Sequence, residues 1–180
     1  MIELLNKYNK RPLATDKNTI HSYDILYENI FNKYKEASNI LEIGVAGGAF
    51  TCVLEEFFTN AIIHGIDIDT DHILYGKDKE RIKYFKLNGA DDQTPGILNT
   101  YYDVIIEDGS HIVQEQIKTL DVFAPYLKKG GMYVIEDIHQ EGLKTILKQS
   151  AEKHDLRMEW YDLRKIKNRY DDILAIFYKD

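Results

Sequence analysis

The sequence predicts an open α/β sheet of seven strands, mostly parallel, with helices on both faces and a C-terminal antiparallel hairpin. Three observations lead there. Short runs rich in β-branched and aromatic residues alternate with helical patterns five times over. Two of those runs are almost continuously apolar, as parallel strands covered on both faces require. The last two runs have no long helix between them, so they pair antiparallel.

The first five strands are read at 39–45 (NILEIGV), 61–68 (AIIHGIDI), 82–87 (IKYFKL), 102–109 (YDVIIEDG) and 131–138 (GMYVIEDI). The hairpin consists of LRMEWYDL and DILAIFYK, joined by the polar stretch 164–171. Helices are expected at 19–36, 49–59 and 140–153, and beyond His111. There Val113, Ile117, Leu120, Ala124 and Leu127 recur at steps of four and three, an apolar stripe turned toward a sheet. The stripe is expected to end at KKGG, where lysines suit a helix C-terminus and glycines break it. At 180 residues there is room for one sizeable core, and 1–180 is read as one domain.

Composition narrows the function. Thirty acidic against 23 basic side chains leave a net charge of −7, which disfavours nucleic acid as a partner. A single cysteine, Cys52, excludes an internal disulfide and a cysteine zinc site. No window approaches a membrane span and no signal peptide is visible, so a cytoplasmic protein is expected.

Ligands of open α/β sheets bind beyond the carboxyl ends of the strands. The first strand ends in Glu42-Ile43-Gly44-Val45-Ala46-Gly47-Gly48, which lacks both the G-x-G-x-x-G spacing of a dinucleotide loop and the lysine of a phosphate loop. It resembles instead the E-x-G-x-G-x-G loop of class I S-adenosylmethionine-dependent methyltransferases, with Ala46 in place of the middle glycine. That resemblance implies a Rossmann-like methyltransferase sheet and S-adenosylmethionine as cofactor. Glu42 suits a ligand carrying an ammonium group, and Gly44, Ala46 and Gly48 let backbone approach it. Asp67, closing the second strand, is placed to accept from the hydroxyls of a ribose. The resemblance further implies a carboxylate near the adenine amino group after the third strand, with Asp91 preferred over Asp92.

The fourth strand closes in Glu107-Asp108-Gly109-Ser110-His111 and the fifth in Glu136-Asp137-Ile138-His139. If these strands are neighbours, about 4.8 Å apart, Asp108, Glu136 and Asp137 converge, and a divalent cation relieves their repulsion. An all-oxygen set suits Mg²⁺ or Mn²⁺. Glu107 alternates to the other side of its strand. His111, three residues past Asp108, has the pKa range of a base for an acidified hydroxyl. The competing reading makes Ser110 a helix cap and His111 a solvated first-turn residue.

These corners, with ATDKNTIHSYDILYENIF upstream, are similar to metal-dependent sugar O-methyltransferases of the rhamnosyl and macrolide-sugar type, over about residues 15–139. The resemblance implies Asp108, Glu136 and Asp137 as metal ligands, His111 as catalytic base, and residues 1–38 as a helical cover. It departs at Glu107, where an Asp is usual. A sugar or nucleotide sugar is the implied acceptor. A catechol-type O-methyltransferase and a silent S-adenosylmethionine-binding module are the alternatives. Acceptor pockets of this class often draw on a partner subunit, which leaves room for a homo-oligomer.

Overall fold

The computed structural model describes residues 1–10 and 12–180. Seven strands form one sheet: β1 (Asn39–Ile43), β2 (Ile62–Asp67), β3 (Ile82–Lys86), β4 (Tyr102–Glu107), β5 (Leu127–Ile135), β6 (Leu156–Asp162) and β7 (Ile173–Lys179). Their order is β3-β2-β1-β4-β5-β7-β6. β1 to β5 run parallel, and β7 enters antiparallel between β5 and β6. The expected architecture is the one observed.

Strand alternation builds two cores. Ile40, Ile63, Val104, Ile106 and Val134 face α1 (Ile2–Tyr8), α2 (Asp24–Asn32) and α3 (Ala49–Phe57). Leu41, Ile66, Ile105, Tyr133 and Ile135 face α5 (Val113–Phe123) and α6 (Leu143–Lys153), through Leu120, Phe123 and Leu147. Two short helices complete the chain, α4 (Thr94–Leu98) and α7 (Arg164–Lys167). The sequence reading included neither of them, nor α1.

Two expected boundaries move. The helix read at 19–36 forms only over Asp24–Asn32. Before it, the carbonyl of Asp16 accepts from the backbone N–H groups of Thr19, Ile20 and His21, closing a tight turn instead. The helix after His111 ends at Phe123, because Pro125 has no N–H to continue it, and a single 3₁₀ turn follows. The KKGG stretch therefore lies inside β5, at a register shift opposite β4.

Chain order reverses between β1 and β4, so their carboxyl ends diverge into a cleft. Asp108 N–H still donates to Ile43 O at 2.8 Å, and Glu136 N–H donates to Glu107 O at 3.0 Å. The two acidic corners are thus held in adjacent register by the sheet itself.

Candidate active site

A cleft of about 450 Å³ opens at this switch point, lined by the β1 turn, the ends of β2 to β5 and residues 13–17. Gly44 shows how closely its walls meet. At φ +85°, it passes the β4 corner so tightly that an added Cβ would lie 2.1 Å from Asp108 O and 2.6 Å from Gly109 Cα. Gly48, at φ +82°, caps α3 in a left-handed conformation from behind the loop. Ala46 lines the cleft at φ +44°.

Glu42 is buried at the cleft wall, and its Oε2 has no hydrogen-bond partner among the described residues. Burial pushes its carboxyl up to about 8. A buried, unpartnered carboxyl oxygen facing a ligand cleft fits a donor carrying an ammonium group. Asp67 also lines the cleft. Its Oδ2 accepts from Val45 N–H at 3.0 Å and Ala46 N–H at 3.1 Å, and its Oδ1 from Asp69 N–H at 3.0 Å. Asp67 therefore shapes the loop as well as bordering the cleft. Asp91 is exposed and caps its own turn, accepting from Gln93 N–H at 2.9 Å. The cleft wall at that point is made by Asn88, Gly89 and Ala90.

At the other end of the cleft, one ligand atom each from Asp108, His111 and Asp137 lies within 4.8 Å of the others. Two carboxylates and an imidazole so arranged fit a hard divalent cation. His111 Nδ1 is buried, 3.7 Å from Asp137 Oδ2, with no hydrogen-bond partner among the described residues. Burial pushes the Asp108 carboxyl up to about 6, and Lys17 restrains that rise.

Glu136 takes a different place from its expected companions. Its carboxylate is fully buried, in contact with the Lys17 ammonium and the Tyr27 hydroxyl. Glu107 is buried too and borders the cleft, with Oε1 accepting from Gly109 N–H at 3.1 Å and its carboxyl pushed up to about 8 by burial.

Residues 17–27 contribute far more than a cover. Lys17 Nζ donates to Asp108 Oδ2 at 2.5 Å. Tyr23 donates its hydroxyl to Asp137 Oδ1, and Asp137 N–H returns a bond to Tyr23 Oη at 3.1 Å. His21 stacks on Tyr23 with centroids 4.8 Å apart, its Nδ1 3.4 Å from both Asp137 Oδ1 and Asp172 Oδ1. Ser22 N–H donates to Asp172 Oδ1 at 3.2 Å, and Lys167 reaches back to the carbonyls of Asn18 and His21. Tyr23 and Tyr27 stand four apart and serve neighbouring carboxylates, a sequence signal that was available but carried no role until the strand ends were placed.

Backbone strain gathers at the same place. Among the described residues, seven non-glycine residues have left-handed φ, and four of them line the cleft: Leu13, Ala46, His111 and Asp137. Each costs roughly 1 kcal/mol or more, and such positions concentrate where a site needs a side chain aimed against the backbone's preference.

The sequence profile of the FtsJ-like methyltransferases matches residues 24–159. The chain belongs to the FtsJ-like methyltransferase family. Its fold is found in the MycE methyltransferase of the mycinamycin pathway, solved with Mg, SAH and mycinamycin VI. That structure superposes with a TM-score of 0.77 at 22% identity, over 98% of this chain and 53% of that one. This FtsJ-like methyltransferase is also 30% identical to demethylmacrocin O-methyltransferase of Streptomyces fradiae, across 74% of this chain and 36% of that protein. Identity is 30% as well to an 8-demethyl-8-alpha-L-rhamnosyl tetracenomycin-C 2'-O-methyltransferase of Streptomyces olivaceus, across 69% of this chain and 35% of that protein. The chain spans about a third of the length of these curated relatives. Among the described residues no helix is long and apolar enough to cross a membrane.

Proposed function

We propose that this methyltransferase moves a methyl group from S-adenosylmethionine to a hydroxyl of a sugar or sugar-containing small molecule, assisted by Mg²⁺ or Mn²⁺. The observation that carries this reading is the meeting of Asp108, His111 and Asp137 at one end of a cleft whose other wall holds the buried Glu42 carboxyl. The names of the relatives, all O-methyltransferases and several of them acting on glycosylated natural products, support the acceptor class.

In this reading Glu42 receives the ammonium of the donor, Gly44, Ala46 and Gly48 shape the loop around it, and Asp67 meets the ribose. Asn88 to Ala90 replace Asp91 as the wall beside the base. Asp108 and Asp137 hold the cation, with Glu136 behind them in the same acidic set. A bound divalent cation lowers the pKa of a hydroxyl it contacts.

His111 is the base. Its Nδ1 lies 3.7 Å from Asp137 Oδ2 and its side chain is 42% exposed, open to an incoming acceptor whose proton the imidazole takes. The deprotonated oxygen attacks the methyl carbon as the carbon–sulfur bond breaks, leaving S-adenosylhomocysteine, and the proton rests on His111. Tyr23 and His21 hold Asp137 in place from behind.

The test is a methyl-acceptor screen with labelled S-adenosylmethionine against sugars, nucleotide sugars and catechols, run with and without chelator. Chelator-sensitive labelling of a sugar hydroxyl is the expected result. Labelling of catechols alone would move the acceptor class, and chelator-insensitive turnover would remove the cation.

A further inference from the structure

Lys17 occupies an unusual position for a lysine. Its side chain is 3% exposed, wedged between the strand ends, with Nζ 5.6 Å from the Phe50 ring centre and 5.8 Å from that of Tyr23. The ammonium meets Asp108 Oδ2 at 2.5 Å and also contacts Glu136 Oε2, while Asp16 Oδ1 lies 3.8 Å away. Burial opposes its charge, and the carboxylates of Asp108 and Glu136 overcome that opposition, so the ammonium persists well above its ordinary range.

We propose that Lys17 is a built-in counter-ion that sets how tightly the acidic corner binds a divalent cation. The proposal rests on the metal reading above. The ammonium spans Asp108 and Glu136, and Asp137 stands beside Asp108, so Lys17 offsets part of the negative charge an incoming ion would meet. Lys17 also engages Asp108 Oδ2 at 2.5 Å, so a cation shares the Asp108 carboxylate with it rather than taking it alone. Both effects weaken cation binding, and both keep the corner assembled when no cation is there. The fixed charge thus makes the metal an exchangeable partner, and the pocket need not fold around it.

The direction of the effect separates this role from a purely structural one. A lysine that merely held the fold would, on removal, loosen the site and weaken metal binding. Removing a counter-ion strengthens it.

The experiment is titration of the metal-free chain with Mn²⁺ at mildly alkaline pH, following the electron paramagnetic resonance of the free ion. Lys17→Gln and Lys17→Met are compared with wild type, with Lys17→Arg as the charge-retaining control. Loss of the charge is expected to lower the Kd by roughly tenfold or more, as expected for a cation placed beside another at a partly screened site. Lys17→Arg is expected to stay near the wild-type value. Unchanged or weaker binding by a variant that melts cooperatively overturns the proposal. On wild type, the slowly exchanging Lys17 ammonium is followed by ¹⁵N NMR, and its resonance is expected to shift with the midpoint of a Mg²⁺ titration. A resonance that ignores saturating Mg²⁺ overturns the proposal even where neither variant folds.

Equal affinities alongside chelator-sensitive methyl transfer would remove only the counter-ion role. Mn²⁺ uptake by Lys17→Gln without uptake by wild type would support the counter-ion role and remove the metal from the natural reaction. Absence of binding in every form removes both.

Discussion

A methyl group on Gly44 would stand 2.1 Å from the carbonyl oxygen of Asp108. The turn after β1 and the corner after β4 are therefore in backbone contact. Gly44→Ala is expected to push the β4 corner outward, costing about 3 kcal/mol or more from overpacking and positive φ together. Urea denaturation checks the stability loss, and calorimetry with S-adenosylmethionine should show weakened binding as well. A variant of wild-type stability would mean the corner yields freely.

Asp108→Asn keeps the shape of the corner and removes its charge. Turnover is expected to collapse while S-adenosylmethionine affinity stays within about threefold, because Asp108 faces the acceptor end of the cleft. His111→Ala should lower kcat by about 10²–10⁴-fold, the usual worth of a positioned base. Single-turnover methyl transfer and donor calorimetry, run side by side, separate these effects. Equal losses of affinity and rate would place both residues at the donor.

With Glu42 as the proposed receiver of the donor's ammonium, donor binding is expected to be proton-linked. In the free protein its carboxyl titrates at about 8, so near pH 7 it holds its proton. An ammonium group arriving beside it favours the carboxylate and expels that proton. Calorimetry in buffers of differing ionisation enthalpy should therefore report proton release near pH 7 from wild type and none from Glu42→Gln. Absence of release from wild type would take Glu42 away from the donor.

The same two carboxyls impose a sign on stability. Glu42 and Glu107 rise from 4.5 to about 8 on folding, so the folded state binds more protons than the unfolded between those values. Stability is then lost as pH climbs from about 4.5 to about 8, and the loss is complete above that range. Denaturation midpoints at several pH values check it, and Glu42→Gln should flatten the dependence.

Tyr27→Phe leaves the Glu136 carboxylate without its hydroxyl donor in a fully buried setting. A cost of about 1–3 kcal/mol is expected. Tyr23→Phe should cost a similar amount and also slow methyl transfer, because Asp137 loses the hydroxyl that holds it. If Tyr23→Phe left the rate untouched, His21 alone would be positioning Asp137.

What the sequence made readable was local. Short runs rich in β-branched and aromatic residues marked the strands, and the acidic strand ends at Asp108 and Asp137 announced a shared corner because parallel neighbours keep register. Lys17 and Tyr27 were beyond such reasoning, since their partners Asp108 and Glu136 lie 91 and 109 residues away. Nothing in ATDKNTIHSYD says that its lysine is buried. The same segment misled the helix assignment: its apolar spacing continues upstream of Asp24, but Asp16 O gathers three N–H groups in a turn that swings Lys17 and His21 inward. Asp91 misled for the opposite reason. Its carboxylate is satisfied two residues away, as Asp side chains in turns commonly are, and it never reaches the cleft.

The position of β7 bears on how the molecule is made. The last strand in sequence lies inside the sheet, between β5 and β6, and Asp172 just ahead of it anchors Ser22 beside the Tyr23 wall. On the ribosome, a chain extended only through β6 has an unpaired edge on β5 and lacks the Asp172 anchor for Ser22. The wall around Ser22 therefore forms only once β7 is in place, in a step that joins residues 21–23 to Asp172. Nascent chains halted before that strand emerges present the exposed edge of β5 to chaperones.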